Sequence, residues 1–332
     1  MKAILLTRTG DPSVLDYVDV PTPQPKSGEV LVKADTIGVS RPELLVRAGT
    51  YKWMPPLPTI PGIEMAGTVA ELGDGVSGLA PGQKVYVSAR ELPQRAGCYA
   101  EYIAVPQRAL RILPTHVDLE AAACLSNYQV AYHLLHTATR GAPGKIALID
   151  VAAGGLGSAA VQLAKLAGMT AIGLVGSDQK ARALEAYGAD HAINYKTEDV
   201  AARVAAITGG HGVDLVLNAA GGDSLNRQVA MLAPFGLAVS YGKLDTPLEA
   251  SLLEALDRGP GYLASPAIRF FTMHTFDERP EYRAESMRHL IEKLAAGTIK
   301  PLIHAKLPLK DARRAHEMLE ARVVIGKVLL KP

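Results

Sequence analysis

The sequence predicts an α/β protein in which a mostly β domain accompanies a doubly wound parallel sheet. Before residue 120, short β-rich runs such as "EVLVKADTIGVS" and "QKVYVSA" alternate with Gly and Pro turns, a pattern typical of a compact β domain. From about 121 to 275, apolar runs such as "KIALIDV" and "TAIGLV" are separated by helical patterns. This alternation indicates parallel strands that are covered by helices on both faces.

The end of the chain returns to the character of its beginning. After residue 297, the strand-like runs "KPLIHAKLPL" and "KVLLKP" flank one helix. We therefore expect this segment to rejoin the first domain, which is then discontinuous. The predicted domains are a mostly β domain of residues 1–120 and 298–332, and an inserted parallel-sheet domain of residues 121–297.

Length and charge limit the classes of partner. A chain of 332 residues exceeds one comfortable hydrophobic core. The 35 Lys and Arg residues nearly balance the 33 Asp and Glu residues, so little net field attracts nucleic acid or anionic membranes. No apolar run approaches the roughly 20 residues of a membrane span, and the N-terminus turns polar too early for a secretory signal. We expect a cytoplasmic protein with a small-molecule substrate, and neither a nucleic-acid nor a membrane partner.

A glycine-rich turn carries the strongest chemical signal. In "IDVAAGGLGSAA", a predicted strand over residues 145–151 runs into three glycines, and a helix begins at once. Such glycines allow the backbone to approach a pyrophosphate, and the helix N-terminus offers it unpaired N–H groups. Ala152 stands where the usual fingerprint has its first glycine, and a plain tight turn is the alternative. The strand-turn-helix context favours dinucleotide binding, with these predicted cofactor contacts: Ala153, Gly154, Gly155, Leu156 and Gly157.

The next strand distinguishes between the two nicotinamide dinucleotides. NAD enzymes usually end this strand with Asp or Glu, which binds the ribose 2′-hydroxyl, but this chain has Val175 and Gly176 there. Asp178 is expected to cap the following helix instead. Ser177, Lys180 and Tyr195 could converge on a 2′-phosphate, and charge-assisted hydrogen bonds of ~1.5–3 kcal/mol each would favour NADPH by roughly a hundredfold or more.

The fourth and fifth predicted strands also end in polar or glycine-rich segments, "NAAGGDS" and "SYGK". Ligands of open parallel sheets lie beyond the carboxyl ends of the strands. We therefore expect further cofactor contacts here, although strand-ending glycines are also ordinary turns. The candidates are Asn218, Ser240 and Gly242, with Gly221 and Lys243 as weaker ones.

The whole chain resembles the zinc-free quinone oxidoreductases of the medium-chain dehydrogenase/reductase superfamily, relatives of zeta-crystallin. The resemblance rests on "RAGTYKWMPPLPTIPGIEMAGTV", "GCYAEYIAVP", "DVAAGGLGSAAVQLAKLAG", "GADHAINYKTEDV" and "LEARVVIGKVLLKP". It implies a GroES-like catalytic domain built from both chain ends, a Rossmann domain between them, and a homodimer. It also implies that Lys180, Tyr195 and Arg322 hold the 2′-phosphate of NADPH.

The stretch "PTIPGIEMAGTV" resembles a metal-binding turn without its ligand. Zinc-dependent members of the superfamily have a cysteine at the position of Ser40 and a histidine at that of Ile63, and catalytic zinc normally needs three protein ligands. The resemblance therefore predicts an enzyme without a metal. Nothing in the sequence replaces the Lewis acid of alcohol oxidation. The preferred reaction is hydride transfer from NADPH to an electron-poor acceptor, either a quinone or an alkene conjugated to a carbonyl, as in an enone or alkenal.

Four residues are candidates for catalysis. Tyr51 matches the family's tyrosine near the nicotinamide, where a phenol could hydrogen-bond to or protonate the substrate oxygen; packing at a domain edge is the alternative. Ser40 lies in the same loop region. Asn127 and Gln129 lie in "LSNYQVAYHLL", where the family usually has a threonine in place of Gln129.

Two other functions remain open from the sequence. One is a zinc-type alcohol dehydrogenase with unconventional ligands. The other is a protein that binds NADPH in a structural or regulatory role.

Overall fold

The computed structural model describes residues 1–242, 244 and 264–332. It divides the chain into two compact units, one of Met1–Ser126 and Arg288–Pro332 and the other of Asn127–Met287. The first unit is therefore built from both ends of the chain. The sequence places the boundaries after residues 120 and 297 instead. Both observed boundaries lie inside continuous helices, Leu125–Tyr132 and Pro280–Ala295, so no Gly or Pro turn marks them in the sequence.

The first unit contains a two-stranded antiparallel sheet and a larger mixed sheet. Strands β1 (Lys2–Leu6) and β2 (Leu15–Asp19) form a hairpin-like pair. The second sheet has the order β14-β15-β3-β4-β5-β7, with β6 paired to β3. Its strands are β3 (Glu29–Val39), β4 (Glu64–Leu72), β5 (Lys84–Ser88), β6 (Tyr102–Pro106), β7 (Leu110–Ile112), β14 (Ile303–Pro308) and β15 (Lys327–Lys331). Its helices are α1 (Arg41–Ala48), α2 (Leu119–Ala122) and α9 (Ala312–Glu320).

The last strand of the chain closes this sheet beside β3. Strand β15 pairs antiparallel with β3, with Val328 opposite Val39. Strand β4 pairs with the other edge of β3, with Met65 opposite Ile37. Alternating Val, Leu and Ile side chains of these strands enter the core, and their burial fixes the register because a one-residue slip would expose the whole set. This register brings the first residue of β15 next to the residue that follows β3.

The second unit is a six-stranded parallel sheet with the order β10-β9-β8-β11-β12-β13. The order reverses between β8 and β11, and this topological switch point is where doubly wound sheets bind ligands. The strands are β8 (Ile146–Ile149), β9 (Thr170–Val175), β10 (His191–Asn194), β11 (Val213–Asn218), β12 (Leu232–Ser240) and β13 (Ala267–Phe270). The helices are α3 (Leu125–Tyr132), continued by a π-helical turn (His133–Thr137), α4 (Gly155–Leu166), α5 (Asp178–Ala186), α6 (Val200–Thr208), α7 (Gly222–Val229) and α8 (Pro280–Ala295).

The predicted α/β class is confirmed, with one local difference at the first strand of the parallel sheet. The sequence extends this strand over residues 145–151, but β8 ends at Ile149. Two residues further on, Val151 adopts a left-handed backbone with φ 51°. None of the helices in the described part of the chain combines the length and the apolar character needed to cross a membrane.

Candidate functional site

The glycine turn forms an uncapped helix N-terminus at the end of β8. Gly154 is the N-cap of α4, and as a glycine it has no side chain to accept a hydrogen bond from the first N–H groups of the helix. The first N–H groups of a helix lack intrahelical partners and carry a partial positive charge. A Cβ at Gly157 would lie 2.4 Å from the Val151 carbonyl oxygen, so only glycine allows the helix to start this close to the strand. The turn therefore fits a pyrophosphate.

Ser177, and not Asp178, caps helix α5. Ser177 has an extended backbone, and its Oγ accepts a hydrogen bond from the Lys180 backbone N–H at 3.3 Å. The expectation that Asp178 is the cap is wrong because Asp178 is already the first helical residue. Its Oδ1 instead accepts a hydrogen bond from Asn194 Nδ2 at 2.6 Å. No carboxylate caps the helix at the end of β9, where an NAD enzyme has its acidic residue.

Tyr195 lies at the same corner of the sheet. Its side chain is 46% exposed, and its hydroxyl oxygen would lie 2.8 Å from a Cβ built on Gly176. The phenol therefore occupies the space that a side chain at position 176 would need. The structure thus places Tyr195 beside the segment that contains Ser177 and Lys180. Arg322, the remaining candidate for the 2′-phosphate, lies in the first unit after α9 with a left-handed backbone, φ 55°.

A buried carboxylate that the sequence analysis missed connects the glycine turn to the loop after β11. Asp150 Oδ1 accepts a hydrogen bond from Val151 N at 2.9 Å. Its Oδ2 accepts from Ala220 N at 3.0 Å, Ala219 N at 3.3 Å and Asn218 Nδ2 at 3.4 Å. Burial raises the pKa of Asp150, although the backbone donors oppose that effect. Asp150 therefore holds two loops at the switch point in a fixed arrangement.

The predicted residues Asn218 and Ser240 lie together at the carboxyl ends of β11 and β12. Asn218 is fully buried, and its Nδ2 donates to Gln228 Oε1 at 2.9 Å. Its Oδ1 accepts hydrogen bonds from Gly221 N at 3.1 Å and from Ser240 Oγ at 3.5 Å. These polar atoms order the edge of the sheet by bonding to each other. Contact of Asn218 and Ser240 with a cofactor stays a prediction.

Gly242 makes a close backbone approach at the same edge. A Cβ at this position would lie 2.4 Å from the Ala219 carbonyl oxygen, so a larger residue would displace the loop after β11. Lys243 lies outside the described residues.

Two of the four catalytic candidates flank helix α1 in the first unit. Ser40 precedes the helix, and Tyr51 follows its C-terminal end. Tyr51 is partly buried against the core, and its ring centroid lies 5.8 Å from that of Trp53. The other two candidates, Asn127 and Gln129, belong to the second unit. Their roles in catalysis stay predictions.

Gln129 is part of a buried network between α3 and α8. Its side-chain nitrogen donates to the Arg283 carbonyl oxygen at 2.8 Å and to Ser286 Oγ at 3.1 Å. Ser286 Oγ also lies 3.0 Å from His133 Nε2. The Gln129 nitrogen is therefore already used within the unit, whereas Asn127 is half-buried.

Where zinc-dependent relatives have their ligands, the first unit holds a buried ion pair. Lys327 Nζ donates to Glu64 Oε1 at 2.5 Å and also to Ser40 Oγ. Glu64 accepts further hydrogen bonds from Ser126 N at 2.9 Å, Ser126 Oγ at 2.5 Å and Tyr86 Oη at 3.3 Å. Burial alone would lower the pKa of Lys327, but the attraction of the Glu64 carboxylate outweighs it and raises that pKa. Lys327 is not among the residues predicted from the sequence, where its only signal is a charged residue at the start of the apolar strand "KVLL".

These residues do not fit a catalytic zinc ion. The Ile63 side chain has no atom that could bind a metal, and the Ser40 oxygen accepts a hydrogen bond from the Lys327 ammonium group. Within the ranges that the structure describes, no group of three His, Cys, Asp or Glu side chains is arranged to hold a metal.

A second buried carboxylate of the first unit, Glu43, connects the backbone at Ser40 to the backbone at Ile63. Its Oε2 accepts from Ser40 N and its Oε1 from Ile63 N, both at 3.2 Å. Burial raises the pKa of Glu43 to about 7, and the nearby positive charge of Lys327 opposes that effect.

Together, the sheet built from both chain ends and the parallel sheet with its dinucleotide-binding edge define a nicotinamide-dependent oxidoreductase of the medium-chain dehydrogenase/reductase class. Comparison with known proteins agrees. The family model of the alcohol dehydrogenase GroES-like domain matches residues 26–115, and that of zinc-binding dehydrogenases matches residues 155–283.

Comparison with full-length relatives narrows the class of protein further than the two domain families do. The chain is 34% identical to quinone oxidoreductase 1 of Escherichia coli, over 97% of both chains. It is 31% identical to 2-haloacrylate reductase of a Burkholderia species, over 99% of this chain and 98% of the relative. The crystal structure of E. coli quinone oxidoreductase complexed with NADPH superposes with a TM-score of 0.88 at 32% identity, and covers all of both chains.

The chain belongs to the quinone oxidoreductase family of the medium-chain dehydrogenase/reductase superfamily. It is an NADPH-dependent oxidoreductase. The resemblance expected from the sequence and the cofactor are thereby confirmed.

The raised pKa of Glu43 predicts a pH-dependent stability of the first unit. The folded state keeps the Glu43 proton up to about pH 7, whereas the unfolded chain releases it near the ordinary value of 4.5. The free energy of unfolding should therefore fall as the pH rises through this window. Glu43→Gln removes this contribution, so its stability relative to the unmodified protein should rise by up to about 3 kcal/mol between about pH 5 and about pH 8.

Urea unfolding followed by the fluorescence of Trp53, the single tryptophan, measures this change in the unit that contains Glu43. Glu71→Gln, an exposed position in β4, is the matched control. Parallel pH profiles for Glu43→Gln and the unmodified protein would contradict the assignment.

Proposed function

We propose that this enzyme transfers hydride from NADPH to a quinone, or to an alkene conjugated to a carbonyl, without a metal. The proposal that no metal takes part in the reaction rests on the contact between Lys327 and Ser40. At one expected ligand position an ammonium group already occupies the serine oxygen, and at the other an isoleucine offers no ligand atom.

The acceptor must be electron-poor if no Lewis acid assists the reaction. NADPH supplies the hydride when it is bound. The chain then has to orient the acceptor, exclude water and support the oxygen that gains negative charge. Tyr51 and Ser40 are the proposed donors to that oxygen. The names of the two relatives, a quinone reductase and a haloacrylate reductase, support this class of acceptor because both substrates contain a carbon–carbon double bond conjugated to a carbonyl or carboxyl group.

The proposed cofactor contacts divide between the two ends of NADPH. The uncapped N-terminus of α4 and the close approach at Gly157 support a pyrophosphate contact there. The exposed phenol of Tyr195 beside Gly176 supports a 2′-phosphate contact with Ser177 and Lys180. We propose Arg322 as a further phosphate ligand on the family resemblance.

A test of the function measures NADPH oxidation with a benzoquinone, a naphthoquinone, an alkenal and a simple alcohol, the last with NADP⁺. Each reaction is repeated with NADH and with a chelator. We expect turnover of a quinone or the alkenal that prefers NADPH and ignores the chelator. Turnover of the alcohol alone, lost on chelation, would overturn the proposal in favour of a metal-dependent dehydrogenase. NADPH binding without any turnover would favour a structural or regulatory role.

If Lys180 binds the 2′-phosphate, Lys180→Met should weaken the binding of NADPH but not that of NADH. A charge-assisted hydrogen bond contributes ~1.5–3 kcal/mol, so the KM for NADPH should rise by about 10- to 100-fold. The KM for NADH should stay within twofold because that cofactor lacks the phosphate. Steady-state kinetics with both cofactors measure the ratio, and Lys310→Met at an exposed site in the first unit is the control. An equal rise in both KM values would contradict the assignment.

We also propose a cytoplasmic homodimer that associates through β13. Among the described residues, β13 forms an edge of the parallel sheet, and its Phe270 is 60% exposed. An edge strand with unpaired backbone groups and an exposed aromatic side chain is suited to pairing with a second copy.

The dimer interface predicts weaker association in Phe270→Asp. Burial of a phenylalanine contributes about 1.5–3 kcal/mol, so the dissociation constant should rise by at least about tenfold. Sedimentation velocity across a concentration series measures it. Phe235→Asp, at an even more exposed phenylalanine of β12, is the matched control. A monomeric unmodified protein, or an unchanged dissociation constant in Phe270→Asp, would reject this interface.

A further inference from the structure

Ser40 forms a capping box with Glu43 at the start of α1 and also contacts Lys327. Its hydroxyl oxygen accepts a hydrogen bond from the Lys327 ammonium group, while its backbone N–H donates to Glu43. In the described part of the chain, no acceptor is found for the hydroxyl proton of Ser40. Because an ammonium group withdraws electron density from the oxygen it contacts, the remaining O–H becomes a stronger donor.

The positive charge behind Ser40 is held in place from several directions. Strand pairing sets Lys327 at the start of β15 beside the end of β3, and Glu64 at the start of β4. Gly38 leaves room for the carboxylate, since a Cβ there would lie 2.7 Å from Glu64 Oε1. Two of the three ammonium protons are therefore directed to fixed acceptors, Glu64 and Ser40.

Glu64, Lys327 and Ser40 differ in how deeply they are buried. Glu64 is 0% exposed and Lys327 is 3% exposed, whereas Ser40 retains 8%. Ser40 is the least buried of the three, so it is the residue through which Lys327 could act on a bound molecule.

We propose that Ser40 donates a hydrogen bond to the substrate oxygen that gains negative charge during reduction, and that Lys327 strengthens this bond as a positioning residue. This inference rests on the proposed function. The Lys327–Ser40 pair thereby performs electrostatically the task that a metal performs in zinc-dependent relatives. When the hydride forms a new C–H bond at the conjugated carbon, the double-bond electrons shift towards the carbonyl group and the C=O π pair becomes a lone pair on oxygen. The resulting enolate takes up one proton from solvent water, which leaves hydroxide, and tautomerises to the saturated carbonyl compound or, from a quinone, to the hydroquinone.

A substrate series separates this role from a structural one. Fixed donors aimed at a developing oxyanion typically contribute about 10²–10³ in kcat. In Ser40→Ala, kcat should fall about a hundredfold for an alkenal or enone, whose reduced oxygen is a strong base. The fall should be on the order of tenfold or less for a benzoquinone, whose reduced oxygen is a weaker base. The KM for each acceptor should change little, because the bond strengthens as charge develops.

The role of the Lys327 charge is tested in a variant that removes the charge of Glu64 at the same time. Lys327→Met alone leaves Glu64 buried without a counter-ion, which destabilises the fold. The double variant Lys327→Met with Glu64→Gln removes both charges and should show the same substrate-dependent loss as Ser40→Ala. Lys331→Met is the matched control, since Lys331 lies in the same strand and pairs with Asp35 at 2.8 Å. For Lys331→Met, the ratio of its kcat to that of the unmodified enzyme should be the same with a quinone as with an alkenal.

The outcomes separate the two proposals. If the unmodified enzyme reduces neither quinones nor conjugated alkenes, the proposed function fails. If it is active but Ser40→Ala and the double variant lower kcat equally for every acceptor, or not at all, the Lys327–Ser40 role is overturned and the proposed function stands.

Discussion

The ion pair between Lys327 and Glu64 is the constraint on which the first unit depends. It joins three segments that are distant in the sequence, because Glu64 also accepts hydrogen bonds from Ser126 at the start of α3. Two charges removed from water are tolerated only when they are paired and hydrogen-bonded, and loss of one partner typically costs about 3–5 kcal/mol. The pair therefore couples the closure of the sheet by β15 to the shape of the turn around Ser40.

The second unit has a comparable buried carboxylate at its candidate cofactor-binding edge. Asp150 accepts four hydrogen bonds and so connects the glycine turn to the loop after β11. In each unit a buried carboxylate collects donors from separate segments beside a candidate site. The backbone there is ordered by internal bonds, which reduces the entropy that binding must overcome.

Most of the architecture could be predicted from the sequence because it follows from local pattern. The parallel strands are apolar runs, the glycine turn has its helix context, and the missing acid at Gly176 is visible directly. Lys327 and Asp150 could not be found in this way. Each is one charged residue at the end of an apolar strand, and its partners are determined by strand register and tertiary packing. The boundaries of the two compact units fall within continuous helices, where no Gly or Pro turn marks them.

The Tyr195 hydroxyl group lies in the space that a side chain at position 176 would need. An aspartate at position 176, as in enzymes that bind a free ribose hydroxyl, would bring its own negative charge and also push the phenol out of place. With Tyr195 as the proposed ligand of the 2′-phosphate, this single substitution would displace that ligand and add a repulsive charge.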